Sequence, residues 1–208
     1  MPAHYLLDLL LFINIYTTIF NVVFRLSKNE RHSKNIYCLI HAILSTLMSG
    51  TYILTKSDDD YYAMTIVSTG YFIYDTFMLL TQEEAFNLSD KGLLAHHVLA
   101  ILIINSSKND MVAYNLFLFE LGNIPNVLYD VAKSTPFKQL EFYKTLRFVS
   151  FGLIRVVIIP IVNYYNGYMY TELSYFIQAI GYSLYLMSIY WFRKLYIGYT
   201  CPVKVKSI

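Results

Sequence analysis

The stretch at residues 92–106, GLLAHHVLAILIINS, decides how many times this chain crosses a membrane. Its length falls short of the roughly twenty residues that span a bilayer as a helix. It also carries two adjacent histidines, His96 and His97. An ionisable group at membrane depth costs free energy, so it is normally paired, buried among helices or functional. Whether the stretch is a span, and what its histidines do, must therefore be answered together.

The composition is that of a membrane protein. Of the 208 residues, 56% are hydrophobic and only 14% are charged, whereas a soluble domain has about a quarter charged residues. The net charge of +2 is too small to indicate nucleic-acid binding. Apolar residues form blocks of roughly twenty, the length of a spanning helix. They predict an all-α, multi-pass transmembrane helix bundle of about seven spans: 5–24, 36–55, 62–81, 92–106, 111–131, 147–164 and 173–197.

The distribution of positive charge predicts the orientation of the bundle, because cytoplasmic loops retain Lys and Arg. With seven spans and a lumenal N-terminus, thirteen of the 16 Lys and Arg residues lie on the cytosolic side. Only Lys56 and Lys108 are then lumenal, and Arg155 lies within a span. Removing the short span 92–106 would move eight of the thirteen to the lumenal side. The charges therefore favour seven spans, with the N-terminus lumenal and the C-terminus cytosolic.

The chain divides accordingly into three parts. Residues 1–33 are the first span and a basic cytosolic loop, 34–197 the main transmembrane domain, and 198–208 a cytosolic tail. The tail places Lys204 and Lys206 at the fifth and third positions from the end, in the pattern K-x-K-x-x. This pattern matches the retrieval signal of endoplasmic reticulum membrane proteins, which is read from the cytosol. The alternative is a basic tail that only follows the positive-inside rule.

Six ionisable residues fall inside the predicted spans: His41, Asp75, His96, His97, Glu120 and Arg155. At a rise of 1.5 Å per residue, their depths below the cytosolic ends run from about 6 Å for the histidine pair to about 16 Å for Glu120. All six therefore lie in the cytosolic half, which predicts a pocket open toward the cytosol. Ser68, Tyr71 and Asp75 recur at helical spacing, so this stripe should face the bundle.

The paired histidines suit three kinds of chemistry. Neutral imidazole acts as a general base or a nucleophile near pH 7, and it also binds metals. Metal ligands on one helix are usually spaced i,i+3 or i,i+4. We therefore expect no metal at His96 and His97. We also expect no cofactor, since no P-loop or dinucleotide fingerprint occurs in the sequence.

Structural interpretations of the same residues stay open. Arg155 with Glu120 or Asp75 would form a buried ion pair that fixes the helix arrangement. His41 alone would be a hydrogen-bonded packing residue. Packing explains the histidine pair less well. Side chains at adjacent positions point about 100° apart around the helix axis, so one packing interface does not easily hold both.

Short motifs occur in an order typical of one family. His41-Ala42 precedes STGYFIYD at 68–75, then His96-His97, then E-x-G-N at 120–123. Arg155 followed by Pro160, and YWF-x-K at 190–194, extend the pattern. From about residue 34 to residue 194 the chain resembles the TLC-domain family, which includes ceramide synthases and several non-synthase endoplasmic reticulum proteins.

The resemblance implies a role in membrane lipid metabolism or lipid homeostasis. In ceramide synthases the paired histidines are regarded as catalytic, in acyl transfer from acyl-CoA to a sphingoid base amine. Carried over, His96 and His97 are the candidate nucleophile or base, and Asp75 or Glu120 the orienting carboxylate. The expected partners are membrane lipids and acyl-CoA. The remaining candidate substrate-binding residues are His41, Tyr71, Asn123, Asn126 and Arg155.

Two asparagines depart from the synthase pattern. Ceramide synthases carry two aspartates shortly before an Ala-Lys, and aligning on Ala132-Lys133 puts Asn123 and Asn126 at those places. Asparagine exchanges hydrogen bonds but cannot take a proton or hold a charge. The stretch ELGN at 120–123 instead looks like the non-synthase members. The alternatives are thus an acyl-CoA-dependent N-acyltransferase or a non-enzymatic lipid sensor or cargo-binding membrane protein.

Overall fold

Helices account for all the regular structure in the described part of the chain. The computed structural model describes residues 4–81, 88–106, 108–135, 139–165 and 175–200. Most of the predicted tail, including Lys204 and Lys206, lies outside these residues. The seven helices are α1 (Tyr5–Ser27), α2 (Glu30–Thr55), α3 (Asp58–Leu80), α4 (Leu88–Ser106), α5 (Asp110–Lys133), α6 (Leu140–Tyr165) and α7 (Tyr175–Thr200).

Helix ends follow from local side-chain chemistry. Asn29, Ser57 and Asn109 precede α2, α3 and α5, and each side chain accepts a hydrogen bond from a first-turn backbone N–H. Such caps satisfy amide groups that have no partner within the helix. At the other ends, Lys28 and Lys56 close α1 and α2 in the left-handed conformation, with φ of 54° and 56°. The N-terminal cap at Asn29 explains why α2 begins at Glu30, before its apolar block starts at residue 36.

Each of the seven predicted apolar blocks coincides with one helix. Within the described ranges, four helices, α1, α2, α3 and α6, are long and apolar enough to cross a membrane, and α4 contains a shorter apolar helix at Lys91–Ser106. The helical bundle that the sequence predicts is therefore confirmed. The number of spans and the placement of the termini stay predictions.

Helices α2 to α7 form a closed ring. Each packs against its ring neighbours, in the order α2, α3, α4, α7, α6, α5 and back to α2. Helix α1 lies against α2 and α3. This arrangement brings together helices that are far apart along the chain, such as α2 with α5 and α4 with α7.

The burial pattern of α2 shows which helix face meets the bundle. Beyond its first turn, the exposed large side chains of α2 are apolar, as at Ile43, Leu47 and Leu54, the last being 87% exposed. This distribution is the one expected of a helix with lipid on one side and polar contacts on the other. Residues at spacings of three or four form the buried face: Ser33, Tyr37, His41, Ser45, Ser49 and Tyr52.

Helix α3 is the most enclosed element, and the stripe predicted on it is buried. Ser68, Tyr71 and Asp75 are all buried, and the Ser68 and Ser45 hydroxyl oxygens lie 3.0 Å apart. Glycine permits the close approach of α1 on the other side. A Cβ on Gly70 would lie 3.0 Å from the Cβ of Phe12.

Candidate functional site

His97 and Asp75 form a buried histidine–carboxylate pair between α4 and α3. His97 Nε2 lies 3.5 Å from Asp75 Oδ2, and both residues are 2% exposed. The other ring nitrogen, Nδ1, lies 3.4 Å from Thr76 Oγ1. The Tyr37 hydroxyl of α2 donates to Asp75 Oδ1. One carboxylate therefore connects three helices and fixes the orientation of the His97 ring.

His41 and Glu120 form a second pair, between α2 and α5. His41 Nε2 lies 3.8 Å from Glu120 Oε1. That distance is longer than a hydrogen bond, so the contact is electrostatic. His41 Nδ1 lies 3.2 Å from the hydroxyl oxygen of Tyr16 on α1. Both members of the pair are buried.

Tyr71 lies between the two pairs. Its ring stacks on His41 with centroids 3.6 Å apart and planes 2° from parallel. Its edge approaches His97, with centroids 6.3 Å apart. The Tyr71 hydroxyl donates to Cys38 Sγ at 3.3 Å. The structure thus brings His41, Tyr71, Asp75 and His97 into one continuous layer, with Glu120 at its edge.

The adjacent histidines have different environments. His96 is partly exposed and its ring meets Trp191 of α7 and Phe72 of α3 edge-on, with centroids 5.3 and 6.2 Å apart. His96 Nδ1 is buried and has no hydrogen-bond partner within the described residues. His97 is therefore the histidine held by a carboxylate, and His96 is the one with an available nitrogen.

The two asparagines lie beside Glu120 on α5. Asn126 Nδ2 donates to Asn123 Oδ1 at 3.4 Å, and Asn123 Nδ2 donates to Glu120 Oε2 at 3.5 Å. These long bonds run along one face of the helix at spacings of three residues. Asn123 and Asn126 thus support the Glu120 carboxylate, while Asp75 is the carboxylate beside His97.

Arg155 is buried in a π-helical segment of α6, Gly152–Ile158. Its Nη2 donates to the Phe119 backbone oxygen at 3.0 Å. Its guanidinium carbon lies 5.1 Å from the Phe119 ring centroid and 4.8 Å from that of Phe151. The ion pairs of the described residues do not include Arg155, so the proposed close pairing with Glu120 or Asp75 is not formed.

Several contributing residues were missed by sequence reasoning. Tyr37 precedes His41 by four positions, so helical spacing could have placed it on the same buried face. Thr76 adjoins Asp75, but nothing in the sequence indicates its contact with His97. Trp191 belongs to the YWF-x-K motif, but neither that motif nor any signal at Tyr16 indicates a contact with the histidines, because only the tertiary fold brings their helices near. No group of three His, Cys, Asp or Glu residues in the described ranges is arranged to hold a metal ion.

Comparison with known proteins identifies the family. The sequence model of the TLC domain matches residues 15–196, which is most of the chain. Comparison with curated proteins and comparison with solved structures each gave no match. The matched region includes every candidate site residue and all seven helices in whole or in part. The chain therefore belongs to the TLC-domain family of membrane proteins.

Proposed function

We propose that this TLC-domain membrane protein acts in membrane lipid metabolism or lipid homeostasis, by holding a lipid or acyl chain beside His97 and Asp75. The observation that supports this most is the buried contact of 3.5 Å between His97 Nε2 and Asp75 Oδ2. Ionisable residues at membrane depth typically line substrate pathways or binding sites. A ligand that reaches them from the bilayer is a lipid.

The ring of helices supports a shared site rather than isolated polar contacts. Five of its six helices contribute one of the buried ionisable residues, which are His41, Asp75, His97, Glu120 and Arg155. A single structural contact needs only two partners. Polar groups drawn from five helices suit a headgroup held at several points, with its chains among the apolar side chains. The predicted depths place this site toward the cytosol, where acyl-CoA is available.

Photoreactive lipid labelling tests this proposal. The purified chain in nonionic detergent is labelled with a diazirine-bearing fatty acid and a diazirine-bearing sphingoid base, with and without excess unlabelled lipid. We expect saturable, competed labelling that falls in His97→Ala and Asp75→Asn. His32→Ala is the matched control. His32 lies in the first turn of α2 and its Nδ1 is 2.9 Å from the hydroxyl oxygen of Ser134, which follows α5, so it is away from this layer. Labelling that is not competed, or that is equal in all variants, would refute the proposed site.

An acyl-CoA-dependent N-acyltransferase of ceramide synthase type is the first alternative. In that reaction the amine nitrogen forms a bond to the acyl carbon, the carbon–sulfur bond of the thioester breaks, and CoA leaves as the thiol. A histidine base takes the proton lost by the amine and passes it to the departing CoA thiolate, which leaves as the thiol. The orientation of His97 by Asp75 favours this reading, because a base must be held in position. The asparagines at 123 and 126 disfavour it, and they support a relationship to the non-synthase members instead.

A direct assay separates the enzyme from a non-enzymatic lipid sensor or cargo-binding protein. Purified protein is given acyl-CoA and a sphingoid base, and N-acylated product is compared with a His96→Ala/His97→Ala variant. Histidine-dependent product would establish the acyltransferase. Competed lipid labelling without product from a panel of acyl acceptors would favour the sensor or cargo-binding protein.

Residence in the endoplasmic reticulum is part of the proposal, and it rests on the tail pattern at Lys204 and Lys206. A tagged chain should co-localise with endoplasmic reticulum markers, and the Lys204→Ser/Lys206→Ser variant should shift toward later compartments. If the variant is distributed like the unaltered chain, Lys204 and Lys206 do not act as a retrieval signal.

A further inference from the structure

Arg155 is a buried cation whose hydrogen bonds are incomplete. It is 4% exposed, and its Nη2 donates to the Phe119 carbonyl. Its Nε is buried and has no hydrogen-bond partner in the described part of the chain. A buried N–H without an acceptor costs about 1–3 kcal/mol, and more in a charged group. The geometry around Arg155 thus leaves a donor for an acceptor that comes from outside the protein.

The backbone holds Arg155 firmly in this position. Short π-helical segments are rare within α-helices and frequently occur at functional sites. This one packs closely on α5 at Gly122, where a Cβ would lie 3.3 Å from Ile154 Cγ2 and 3.6 Å from Arg155 Cγ. On its other side, a Cβ on Gly152 would lie 2.7 Å from Phe192 Cε2 of α7. The segment is therefore packed tightly between α5 and α7, and this packing restricts rotation of the backbone at Arg155.

His96 supplies a second polar atom without a partner. Its Nδ1 is buried and unpartnered among the described residues. Its ring lies beside Trp191, and the next residue of α7, Phe192, packs against Gly152 in the π-helical segment that carries Arg155. Glu120 directly follows Phe119, whose carbonyl oxygen accepts the Arg155 hydrogen bond. The Glu120 carboxylate, however, is shared with His41 and with Asn123. Glu120 is thus already engaged, whereas Arg155 Nε and His96 Nδ1 have no hydrogen-bond partner among the described residues.

We propose that Arg155 and His96 bind the anionic headgroup of a membrane lipid, a phosphate or a carboxylate. Guanidinium groups form charge-assisted, often bidentate hydrogen bonds with these anions. The rings of Phe72 and Trp191 flank His96 and offer apolar contacts to the attached chains. This inference rests on the proposed lipid-binding function and specifies the headgroup class at one end of the same site.

The single tryptophan provides a direct readout. Trp191 is the only Trp in the chain, and its ring lies 5.3 Å from that of His96. The full chain in nonionic detergent is titrated with phosphatidic acid, a long-chain fatty acid, the matching uncharged diacylglycerol, and inorganic phosphate. We expect a saturable change in Trp191 emission with phosphatidic acid or the fatty acid and none with diacylglycerol. If inorganic phosphate alone gives a saturable change, the anion bound at this site is free phosphate and not a lipid headgroup.

Variants assign the effect to Arg155. Loss of a charge-assisted hydrogen bond in Arg155→Gln should weaken binding by about tenfold or more. Arg155→Lys keeps the cation and should fall between Arg155→Gln and the unaltered protein. Arg147→Gln is the matched control on the same helix, because Arg147 lies 3.8 Å from Asp130 and not at this site. Size-exclusion profiles check that each variant is folded.

Two results overturn the inference. One is the absence of a saturable emission change with every anion in the unaltered protein, which needs no variant. The other is anion affinity in Arg155→Gln equal to that of the unaltered protein. If photoreactive lipid still labels the chain competitively in either case, the proposed lipid-binding function survives and only the anionic site fails. If that labelling is also absent, both fail.

Discussion

His97 of α4 and Asp75 of α3 are joined at 3.5 Å between Nε2 and Oδ2, and the same carboxylate accepts the Tyr37 hydroxyl of α2. Both carboxylate oxygens are thus engaged, one by each neighbouring helix. Asp75 and His97 are each only 2% exposed, so a partner lost from the pair is not readily replaced by bulk water. Asp75 therefore serves the helix arrangement and the orientation of His97 together.

Tyr37→Phe removes one hydrogen bond to Asp75 while keeping the ring. Since the carboxylate is buried, we expect a loss of about 1–3 kcal/mol in stability. The apparent melting temperature of the purified protein in detergent measures this change. Tyr182→Phe is the control, because Tyr182 is 69% exposed. Equal melting temperatures for the two variants would show that the contact to Asp75 contributes nothing.

Gly70→Ala should push α1 away from α3. The new methyl group would lie 3.0 Å from the Cβ of Phe12, an atom that cannot move without its backbone. Overpacking of this kind typically costs about 1–3 kcal/mol. Gly181→Ala is the matched control, because a Cβ there meets nothing within 4 Å. A melting temperature for Gly70→Ala at or above that of Gly181→Ala would contradict the close contact of α1 with α3.

Asp110, just before the predicted span 111–131, gives a pH-dependent contribution. The hydrogen bond from Lys56 Nζ, 2.7 Å from Asp110 Oδ2, holds the pKa of Asp110 below its ordinary value of 3.8. A carboxyl group whose pKa is lowered in the folded state stabilises that state at pH values above its ordinary pKa. This contribution is lost as the pH falls through the folded-state pKa. The pair is 43% exposed on each side, so we expect Asp110→Asn to cost about 1 kcal/mol or less at pH 7.

Melting curves at pH 7 and at decreasing pH check this sign. The difference between Asp110→Asn and the unaltered protein should shrink toward pH 3, and salt should also reduce it. A difference that grows as the pH falls would contradict the assignment of the pair.

The sequence predicts seven spans, an odd number, so the two termini should lie on opposite sides of the membrane. In sealed microsomes, a C-terminal tag should be cleaved by added protease and an N-terminal tag should be protected. Detergent should then expose both tags equally. Cleavage of both tags in sealed vesicles would require an even number of spans and would remove the basis for a cytosol-facing site.

The helices were predictable because apolar periodicity and length identify membrane helices directly. Even the short block at 92–106, which the charge distribution favours as a span, coincides with a helix, α4. Helix starts were less predictable, because polar turns extend beyond the apolar blocks. The start of α2 at Glu30, for example, is set by the cap at Asn29.

The site was only partly predictable. Asp75 and His97 could be named, because ionisable residues in apolar stretches demand an explanation. The sequence left open whether Asp75 or Glu120 orients a histidine, and which of the two histidines it is, because the choice depends on the rotation of α3 against α4. The π-helical turn at Arg155 likewise gives no sequence signal, although it decides that Arg155 reaches the Phe119 carbonyl.

The positions labelled by a bound photoreactive lipid test the lipid site most directly. The labelled protein is digested, and the cross-linked peptides are identified by mass spectrometry with and without competing lipid. We expect the competed cross-links on α3 and α4 near Asp75 and His97, and their loss in Asp75→Asn. Uncompeted cross-links on outward residues such as Leu10 and Leu54 should be equal in both proteins, since these side chains are exposed. Competed cross-links confined to such outward residues, with none near His97, would contradict a lipid site at the His97–Asp75 pair.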